Sequence, residues 1–348
     1  MKKRIVVLVT CAGAYHAPGV INHLKKLKKI NTTIITVDVN KEAVGQYFSD
    51  YFFTISGGNS NSYIKELLNI CKKMKVNIVI PFSDEEALSL SKKNNLFKKI
   101  NTKILISKYS STKLVSNKKT LMEYIKENGI EYPKFFYPRN ISEVNFALKK
   151  LGYPRKKIVF KPINQRGGRG FRIINSKFNE FNEITEKKKE LYISYERLKK
   201  TIGHNKKFPN FLLMEYLEGE DFNVDVLINK GKIVNFVAQR RLEPKHGSLE
   251  KGLIDKDLKI KKYLIKILQK IELDNLINLE MAYQKKGKKG KLLLYEINAR
   301  PSAPIITSFK AGNSLLENAI YLNLGIKASK KKISNTKIIR YWGELFLN

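Results

Sequence analysis

Cysteines, long apolar runs and acidic residues are all scarce in this 348-residue sequence. The two cysteines, Cys11 and Cys71, have neither metal-site nor disulfide-framework spacing, which favours a reducing cytoplasm. No stretch reaches the ~18 consecutive apolar residues of a membrane-spanning helix. The basic start and short apolar run of residues 1–10 fit a strand better than a signal peptide, because no clear cleavage pattern follows. We therefore expect a cytoplasmic protein with no membrane partner.

The shortage of acids leaves a formal net charge of +36, from 67 Lys and Arg against 31 Asp and Glu. Such an excess can indicate nucleic-acid binding. Here the lysines are spread along the whole chain beside abundant Asn and Ile, as in proteins of AT-rich genomes, whereas phosphate readout favours clustered arginines with interleaved aromatics. We expect no specific nucleic-acid partner, although the charge pattern alone leaves both explanations open.

A G-x-G-x-x-G fingerprint is also missing, although the chain begins with the βαβ pattern of dinucleotide-binding folds. The pattern consists of a strand at Ile5–Thr10, a loop of small residues at Cys11–Gly19, a helix at Val20–Lys29 and a strand at Thr33–Asp38. Without the fingerprint a nicotinamide site is disfavoured. The lone His16 is better explained as a loop hydrogen-bonder than as a catalyst.

The first domain continues with a predicted helix at Ser60–Lys75 and a strand at Val76–Pro81. The acidic segment Phe82–Glu86 follows the carboxyl end of that strand, where open α/β sheets bind ligands. The same acids would also suit the positive end of a helix dipole. The sequence leaves these two interpretations open.

Glu296, Asn298 and Arg300 stand two residues apart after the apolar run Leu292–Leu294, which predicts a buried strand. Because side chains alternate along a strand, all three face the same way. Carboxylate and amide oxygens suit Mg²⁺ or Mn²⁺, and an arginine can hold a phosphate or carboxylate bidentately. Taken alone, the pattern also fits a strand with a polar solvent face.

Glu280 strengthens the hypothesis of a metal site. It ends the apolar run Leu276–Glu280, and the Gly- and Lys-rich segment Gln284–Lys291 after it predicts a hairpin turn. Two adjacent antiparallel strands would bring Glu280, Glu296 and Asn298 around one point. The sequence thus predicts a metal site there.

A strand at Lys157–Pro162 carries Lys161 near its end and leads into a loop with Gly167, Gly168 and Gly170. Glycines allow positive φ and close approach, so the backbone N–H groups of such a hairpin can fold over phosphates. An RGG-type RNA segment is the rival interpretation. Those segments occur as disordered repeats, whereas this one occurs once between strands.

These motifs, in this order, resemble the ATP-grasp superfamily, and within it the synthetase units of the carbamoyl phosphate synthase large subunit and short carboxylate–amine ligases. The resemblance covers essentially the whole chain and implies an α/β fold. Residues 1–112 would form a Rossmann-like domain. Residues 113–328 would form an α+β ATP-grasp domain with lobes at about 113–214 and 215–328, followed by a tail at 329–348.

The resemblance also implies residue roles. The implied ATP-binding residues are Lys118, Lys161, Gly167, Gly168, Gly170, Glu215, Tyr216, Leu217 and Asp221. The implied metal ligands are Glu280, Glu296 and Asn298. The implied binders of the transferred phosphate or of a substrate carboxylate are Arg240, Arg241 and Arg300. The chain departs from the family at Asn117, where an acid is usual, and at Asp221, where Glu is more common.

The implied activity is that of an ADP-forming ligase that uses ATP and Mg²⁺ or Mn²⁺. Such an enzyme activates a small-molecule carboxylate as an acyl phosphate and joins it to an amine. One alternative is an enzyme like carbamoyl phosphate synthase, which phosphorylates bicarbonate or carbamate. Another is a non-catalytic nucleotide- or RNA-binding protein. The substrates stay unidentified, and a homodimer is left open.

Overall fold

The computed structural model describes residues 2–163, 168–181, 191–205, 207–243, 249–329, 332–341 and 343–347. Some of the predicted features lie outside these ranges. Gly167 is one of them, and it is the single predicted site residue that the structure does not describe. Three β-sheets are formed within the described residues.

The first sheet is parallel and has the strand order β3-β2-β1-β4-β5. Its strands are β1 (Arg4–Val9), β2 (Asn31–Asp38), β3 (Tyr51–Thr54), β4 (Ile78–Ile80) and β5 (Lys103–Ile104). Its helices are α1 (Ala17–Leu24), α2 (Tyr63–Lys73) and α3 (Asp84–Lys98), with a 3₁₀ turn at Val44–Tyr47. The β-branched runs of β1 and β2 are buried, as expected of a sheet covered on both faces. The strand order reverses between β1 and β4, where such sheets bind ligands at their carboxyl edge.

The start of α3 lies at that edge and is fixed by a capping box. Ser83 Oγ accepts a hydrogen bond from the Glu86 N–H at 3.2 Å, and Glu86 Oε2 accepts one from the Ser83 N–H at 3.1 Å. Burial raises the pKa of Glu86, although these hydrogen bonds oppose that shift. Glu86 therefore has the helix-terminus role that the sequence left open, whereas Asp84 has a different one, described below.

The second sheet has the order β6-β10-β7-β8-β9 and the third has the order β15-β14-β11-β12-β13-β16. The strands of the second sheet are β6 (Phe135–Phe136), β7 (Ile158–Pro162), β8 (Arg172–Ile174), β9 (Tyr192–Ile193) and β10 (Phe211–Glu215). Those of the third are β11 (Asp221–Asn229), β12 (Lys232–Glu243), β13 (Lys251–Asp255), β14 (Asn275–Lys285), β15 (Lys289–Asn298) and β16 (Lys337–Ile339). The remaining helices are α4 (Tyr109–Ser116), α5 (Lys118–Glu127), α6 (Ile141–Leu151), α7 (Tyr195–Gly203), α8 (Leu258–Leu268), α9 (Ile306–Lys310) and α10 (Leu315–Asn323).

One hydrophobic cluster joins the first sheet to the third. Helices α1 and α10 lie between the sheets and contribute Leu24 and Leu315, while the third sheet contributes Leu227 and Leu276. Each side chain is at most 1% exposed, and burying one leucine stabilises the fold by about 1.5–3 kcal/mol. This shared core holds the carboxyl edge of the first sheet against the third sheet, where the candidate site lies.

The buried His23 of α1 predicts a pH-dependent stability. Its Nε2 lies 2.7 Å from Ser314 Oγ, at the N-cap of α10, and its ring centroid lies 4.0 Å from that of Phe309. Burial, aided by the charge of Lys310, lowers the pKa of His23 from 6.5 to about 4. Between these values the unfolded state binds more protons. The free energy of unfolding should therefore fall as the pH drops through this range, by on the order of 3 kcal/mol from this residue.

Urea unfolding of the wild type and of His23→Gln between pH 7 and 4 measures this contribution. The variant keeps every other titrating group. The difference between the two plots of unfolding free energy against pH therefore isolates the contribution of His23. The variant should lose less stability as the pH falls. Parallel curves would contradict the prediction.

Candidate active site

A cavity of about 200 Å³ opens where residues of the second and third sheets meet the start of α5 and the loop after β1. Of the residues named from the sequence, those that line it are Lys118, Lys161, Gly168, Arg241, Glu280, Glu296, Asn298 and Arg300. Further lining residues include Tyr15, Asn223, Asn278, Tyr295 and Ser302. The structure thus brings most of the predicted phosphate- and metal-binding residues to one place.

The predicted hairpin of β14 and β15 is confirmed. The two strands are antiparallel neighbours, with Glu280 opposite Glu296 and Asn278 opposite Asn298. Directly opposed residues face the same side of a sheet, so these four polar side chains form one patch on the cavity wall. Asn278-Leu279-Glu280 has the same two-residue spacing as Glu296-Ile297-Asn298, and this was the signal in the sequence that could have identified Asn278.

Lysines from two different elements control the charge of Glu296. The Lys161 ammonium donates a hydrogen bond to Glu296 Oε2 and lies 5.2 Å from the centroid of the Tyr295 ring. Burial alone would raise the pKa of Glu296, but the charges of Lys161 and Lys118 outweigh it and hold the pKa well below its ordinary value. Glu296 is therefore a carboxylate at neutral pH and can bind a cation.

Lys118 is the first residue of α5 and is 9% exposed. The helix begins there because the side chain of Asn117 accepts hydrogen bonds from the N–H groups of Lys119 and Thr120, at 3.0 and 3.1 Å. The asparagine that departs from the family pattern is thus an N-cap, and it fixes the end of the helix that presents Lys118 to the cavity.

Arg241 is buried on β12 and contacts two acids. Its Nη2 lies 3.1 Å from Glu280 Oε2, and its Nε lies 3.6 Å from Asp221 Oδ1. Asp221 also accepts a hydrogen bond from the Tyr295 hydroxyl at 2.8 Å. Burial raises the pKa of Asp221 to about 7, although Arg241 opposes the rise. In this structure Asp221, which the resemblance assigns to the ATP site, contacts Tyr295 and Arg241.

Arg240 lies outside the cavity, because adjacent residues of a strand face opposite sides of the sheet. Its Nη1 lies 2.6 Å from Glu220 Oε1, and its Nε lies 3.9 Å from Asp255 Oδ2. This placement corrects the expectation that Arg240 and Arg241 surround one phosphate. We therefore leave Arg240 out of the site proposed below.

Arg300 is held by the first domain. Its Nε and Nη2 each donate to one oxygen of Asp84, both at 3.0 Å, and its Nη1 donates to the Pro301 carbonyl oxygen at 3.1 Å. A guanidinium carries five N–H donors, so two remain after these three bonds. Asp84 thus fixes the plane of Arg300 while Arg300 lines the cavity. Asp84 therefore has a role that neither interpretation of the acidic segment included, since it holds a cavity-lining side chain in place.

In the loop between β7 and β8, the backbone conformation requires glycine at two of the described positions. Gly168 and Gly170 have positive φ angles of 75° and 73°, which side chains rarely adopt. A Cβ on Gly170 would also lie 2.8 Å from Pro162 Cγ. Strands β7 and β8 are antiparallel, as expected of a hairpin.

Three other implied ATP-binding residues, Glu215, Tyr216 and Leu217, lie at the end of β10 and just after it and do not line the central cavity. Glu215 Oε1 accepts from Gln284 Nε2 at 3.4 Å, and burial raises the pKa of Glu215. The Lys157 ammonium lies 5.5 Å from the centroid of the Tyr216 ring, and Leu217 is buried. The structure therefore places Glu215, Tyr216 and Leu217 together, beside the cavity rather than in it.

Metal sites in proteins are commonly built from several acidic, histidine or cysteine side chains. No group of three or more His, Cys, Asp and Glu residues is placed within the described ranges to hold a metal. The patch described above does not meet that definition, since it combines two carboxylates with amides.

No helix in the part of the chain that the structure describes is long and apolar enough to cross a membrane.

The ring nitrogens of His16 have no hydrogen-bond partner among the described residues, so the expected loop hydrogen bond is not found.

Two family models match separate parts of the chain. Residues 7–105 match the PylC-like N-terminal domain. Residues 207–342 match the family described as ATP-grasp in the biosynthetic pathway with Ter operon. The first match covers nearly all of the parallel sheet, and the second covers all six strands of the third sheet, including those that carry the polar patch.

The large chain of carbamoyl phosphate synthase from Clostridium acetobutylicum is 24% identical over 318 residues, or 86% of this chain and 26% of that protein. This chain therefore spans about a quarter of the curated relative. Two solved structures have similar folds. N5-carboxyaminoimidazole synthetase from Staphylococcus aureus, complexed with ADP, has a TM-score of 0.69 at 18% identity over 97% of this chain and 80% of that one. L-amino acid ligase from Bacillus licheniformis has a TM-score of 0.64 at 13% identity, over 93% and 75%.

Proposed function

Because the chain has the ATP-grasp fold behind a PylC-like N-terminal domain, we propose that it is an ATP-dependent, ADP-forming carboxylate–amine ligase. The observation that carries the proposal is one cavity lined by two lysines, three arginines and a carboxylate–amide patch. These are the groups that phosphoryl transfer to a carboxylate needs, because catalysis of that step consists of positioning and charge stabilisation.

Lys118 and Lys161 would bind the phosphates of ATP, and the loop with Gly168 and Gly170 would close over them. The metal-binding residues in this proposal are Glu280, Glu296 and Asn298. Their side chains offer the oxygen ligands that Mg²⁺ and Mn²⁺ prefer, and Glu296 is held in its carboxylate form. When bound, the ion would neutralise phosphate oxygens and the charge that develops on them during transfer.

Arg300 and Arg241 would orient the substrate carboxylate and the transferred phosphate. A carboxylate oxygen attacks the γ-phosphorus, the bond to the leaving oxygen of ADP breaks, and an acyl phosphate forms. An amine then attacks the carbonyl carbon and releases phosphate, leaving an amide. The glycine loop would exclude water that otherwise hydrolyses the acyl phosphate.

A screen with ATP, Mg²⁺ and small carboxylates and amines, singly and in pairs, tests the proposal. Release of ADP and phosphate should require one carboxylate and one amine together. Bicarbonate and ammonia form a separate arm of the screen, because the similarity to carbamoyl phosphate synthase makes that chemistry the main alternative. Turnover with bicarbonate alone would favour the alternative, and binding of ATP without turnover in any arm would favour a non-catalytic protein.

The substitution Lys161→Ala should weaken binding of a non-hydrolysable ATP analogue by about 1.5–3 kcal/mol, the range for a charge-assisted hydrogen bond. Isothermal titration calorimetry measures the affinity, and a thermal melt shows that the variant is folded. Lys286→Ala, in the exposed turn between β14 and β15, is the matched control and should bind like the wild type. An unchanged affinity for Lys161→Ala would remove this residue from the ATP site.

A further inference from the structure

We propose that Asp225 and Asn278 form a buried relay that sets the orientation of the Asn298 amide, with its oxygen toward the cavity. Asp225 and Asn278 are then positioning residues, because they act on the metal site through Asn298. The inference rests on the proposed function, in which Asn298 supplies an oxygen ligand to a divalent cation.

The relay is a continuous chain of side-chain hydrogen bonds that runs from the buried Asp225 to the cavity wall. Asn298 Nδ2 donates to Asn278 Oδ1 at 3.3 Å. Asn278 Nδ2 in turn donates to Asp225 Oδ1 at 3.3 Å and to Asn223 Oδ1 at 3.1 Å. Strand register explains the alignment, since Asp225 on β11 lies opposite Asn278 on β14, which lies opposite Asn298 on β15. All four side chains are at most 7% exposed.

Asp225 gives the relay its direction. Its oxygens also accept hydrogen bonds from the Ser302 N–H at 3.1 Å, from Ser302 Oγ at 2.6 Å and from Gln239 Nε2 at 3.2 Å. With Asn278 Nδ2, donors from three residues converge on the two oxygens of a fully buried carboxylate, which therefore acts as an acceptor only.

An amide has one acceptor end and one donor end, so each step of the chain fixes the next. Asn278 must turn its NH₂ toward Asp225, which leaves its oxygen facing Asn298. Asn298 must then turn its own NH₂ toward Asn278, which leaves its Oδ1 for the cavity it lines. The buried carboxylate therefore selects which atom of Asn298 a ligand meets.

This selection matters because a divalent cation binds the oxygen of an amide and not its NH₂. The relay holds the oxygen of Asn298 toward the cavity before a metal binds. The amide therefore does not have to reverse when the ion arrives.

Binding of Mn²⁺ in the presence of ADP, followed by electron paramagnetic resonance, tests the relay without relying on turnover. Asn278→Leu removes the acceptor for Asn298 and should weaken Mn²⁺ binding by about 10- to 100-fold, the usual effect of losing a group that orients a metal ligand. The matched control is Asn318→Leu on α10. Asn318 is another asparagine that is 2% exposed and makes internal hydrogen bonds, and its loss should lower stability but leave Mn²⁺ affinity unchanged.

Asp225→Asn gives a second test, which does not depend on the Asn278→Leu variant folding. The new amide can place its oxygen at the Oδ1 position, where it still accepts from Asn278 Nδ2 and from the Ser302 N–H. Its NH₂ then faces Gln239, which can turn its amide because its Oε1 has no hydrogen-bond partner among the described residues. The direction of the relay is kept, so Mn²⁺ affinity should stay close to that of the wild type, whereas Asp225→Ala removes the acceptor and should bind more weakly than Asp225→Asn.

The possible outcomes distinguish a failure of the relay from a failure of the metal site on which it depends. Wild-type binding of Mn²⁺ with weak binding by Asn278→Leu, or tighter binding by Asp225→Asn than by Asp225→Ala, supports the relay. Equal affinity in every folded variant overturns the relay and leaves the ligase proposal standing. A wild-type protein that binds no Mn²⁺ with ADP overturns the metal site itself, and the relay with it.

Discussion

Glu296→Ala should reduce Mg²⁺-dependent turnover by about a thousandfold or more while the protein remains folded. Glu296 lies opposite Glu280 on the hairpin of β14 and β15 and accepts a hydrogen bond from Lys161. Its removal takes one carboxylate from the proposed metal site and frees a lysine that would bind phosphate. A metal contributes several kcal/mol to the stabilisation of transferring phosphoryl groups, and about 4 kcal/mol corresponds to a thousandfold in rate.

Phosphate release at matched magnesium concentrations measures this effect, with the substrates found in the paired screen. Asn298→Ala should also lower turnover, since the two side chains face one cavity. Glu196→Ala on α7 is the control, because that glutamate is exposed and distant in sequence from the site. Wild-type turnover by either site variant would contradict the metal assignment.

Arg300→Lys should lower kcat/KM for the carboxylate by about 10²- to 10³-fold, the effect of losing a placed donor in a transition state. Asp84 and the Pro301 carbonyl occupy three of the five N–H donors of Arg300 and leave two for a ligand. An ammonium group has no planar fork, so it cannot pair with Asp84 through two parallel bonds and also hold an anion in the same plane.

Steady-state kinetics with each substrate varied in turn distinguishes this role from a structural one. Affinity for the ATP analogue should change little, because the ATP phosphates are assigned to Lys118 and Lys161. Arg139→Lys, at an exposed position before α6, is the control for a generic loss of a guanidinium. A variant that is only less stable, with kcat/KM unchanged, would show that Arg300 serves to join the domains.

The patch of Glu280, Glu296 and Asn298 could be predicted from the sequence because it depends on local rules. Strand periodicity placed Glu296 and Asn298 on one face, and a Gly- and Lys-rich turn placed Glu280 on the neighbouring strand. The same periodicity, applied to Arg240 and Arg241, already separates them onto opposite faces. The structure shows that separation in the pairing of Arg240 with Glu220.

Contacts that depend on strand register and domain packing could not be predicted in this way. Asp84 and Arg300 are 216 positions apart in the sequence. They meet only because a shared hydrophobic core packs the first sheet against the third. The relay from Asp225 to Asn298 needs the register of three strands at once, and a shift of one residue would turn every second side chain to the other face. Neither arrangement leaves a short motif in the sequence.

Transfer of ¹⁸O from the labelled acid oxygens of the carboxylate substrate tests the central claim most directly. If Arg241 and Arg300 orient a carboxylate for attack on the γ-phosphate, one labelled oxygen should appear in the phosphate released after the amine attacks. Mass spectrometry of the phosphate, with the nucleotide product analysed from the same reaction, gives the answer. The proposal predicts labelled phosphate together with unlabelled ADP. Label recovered in AMP would mean adenylation and would contradict it.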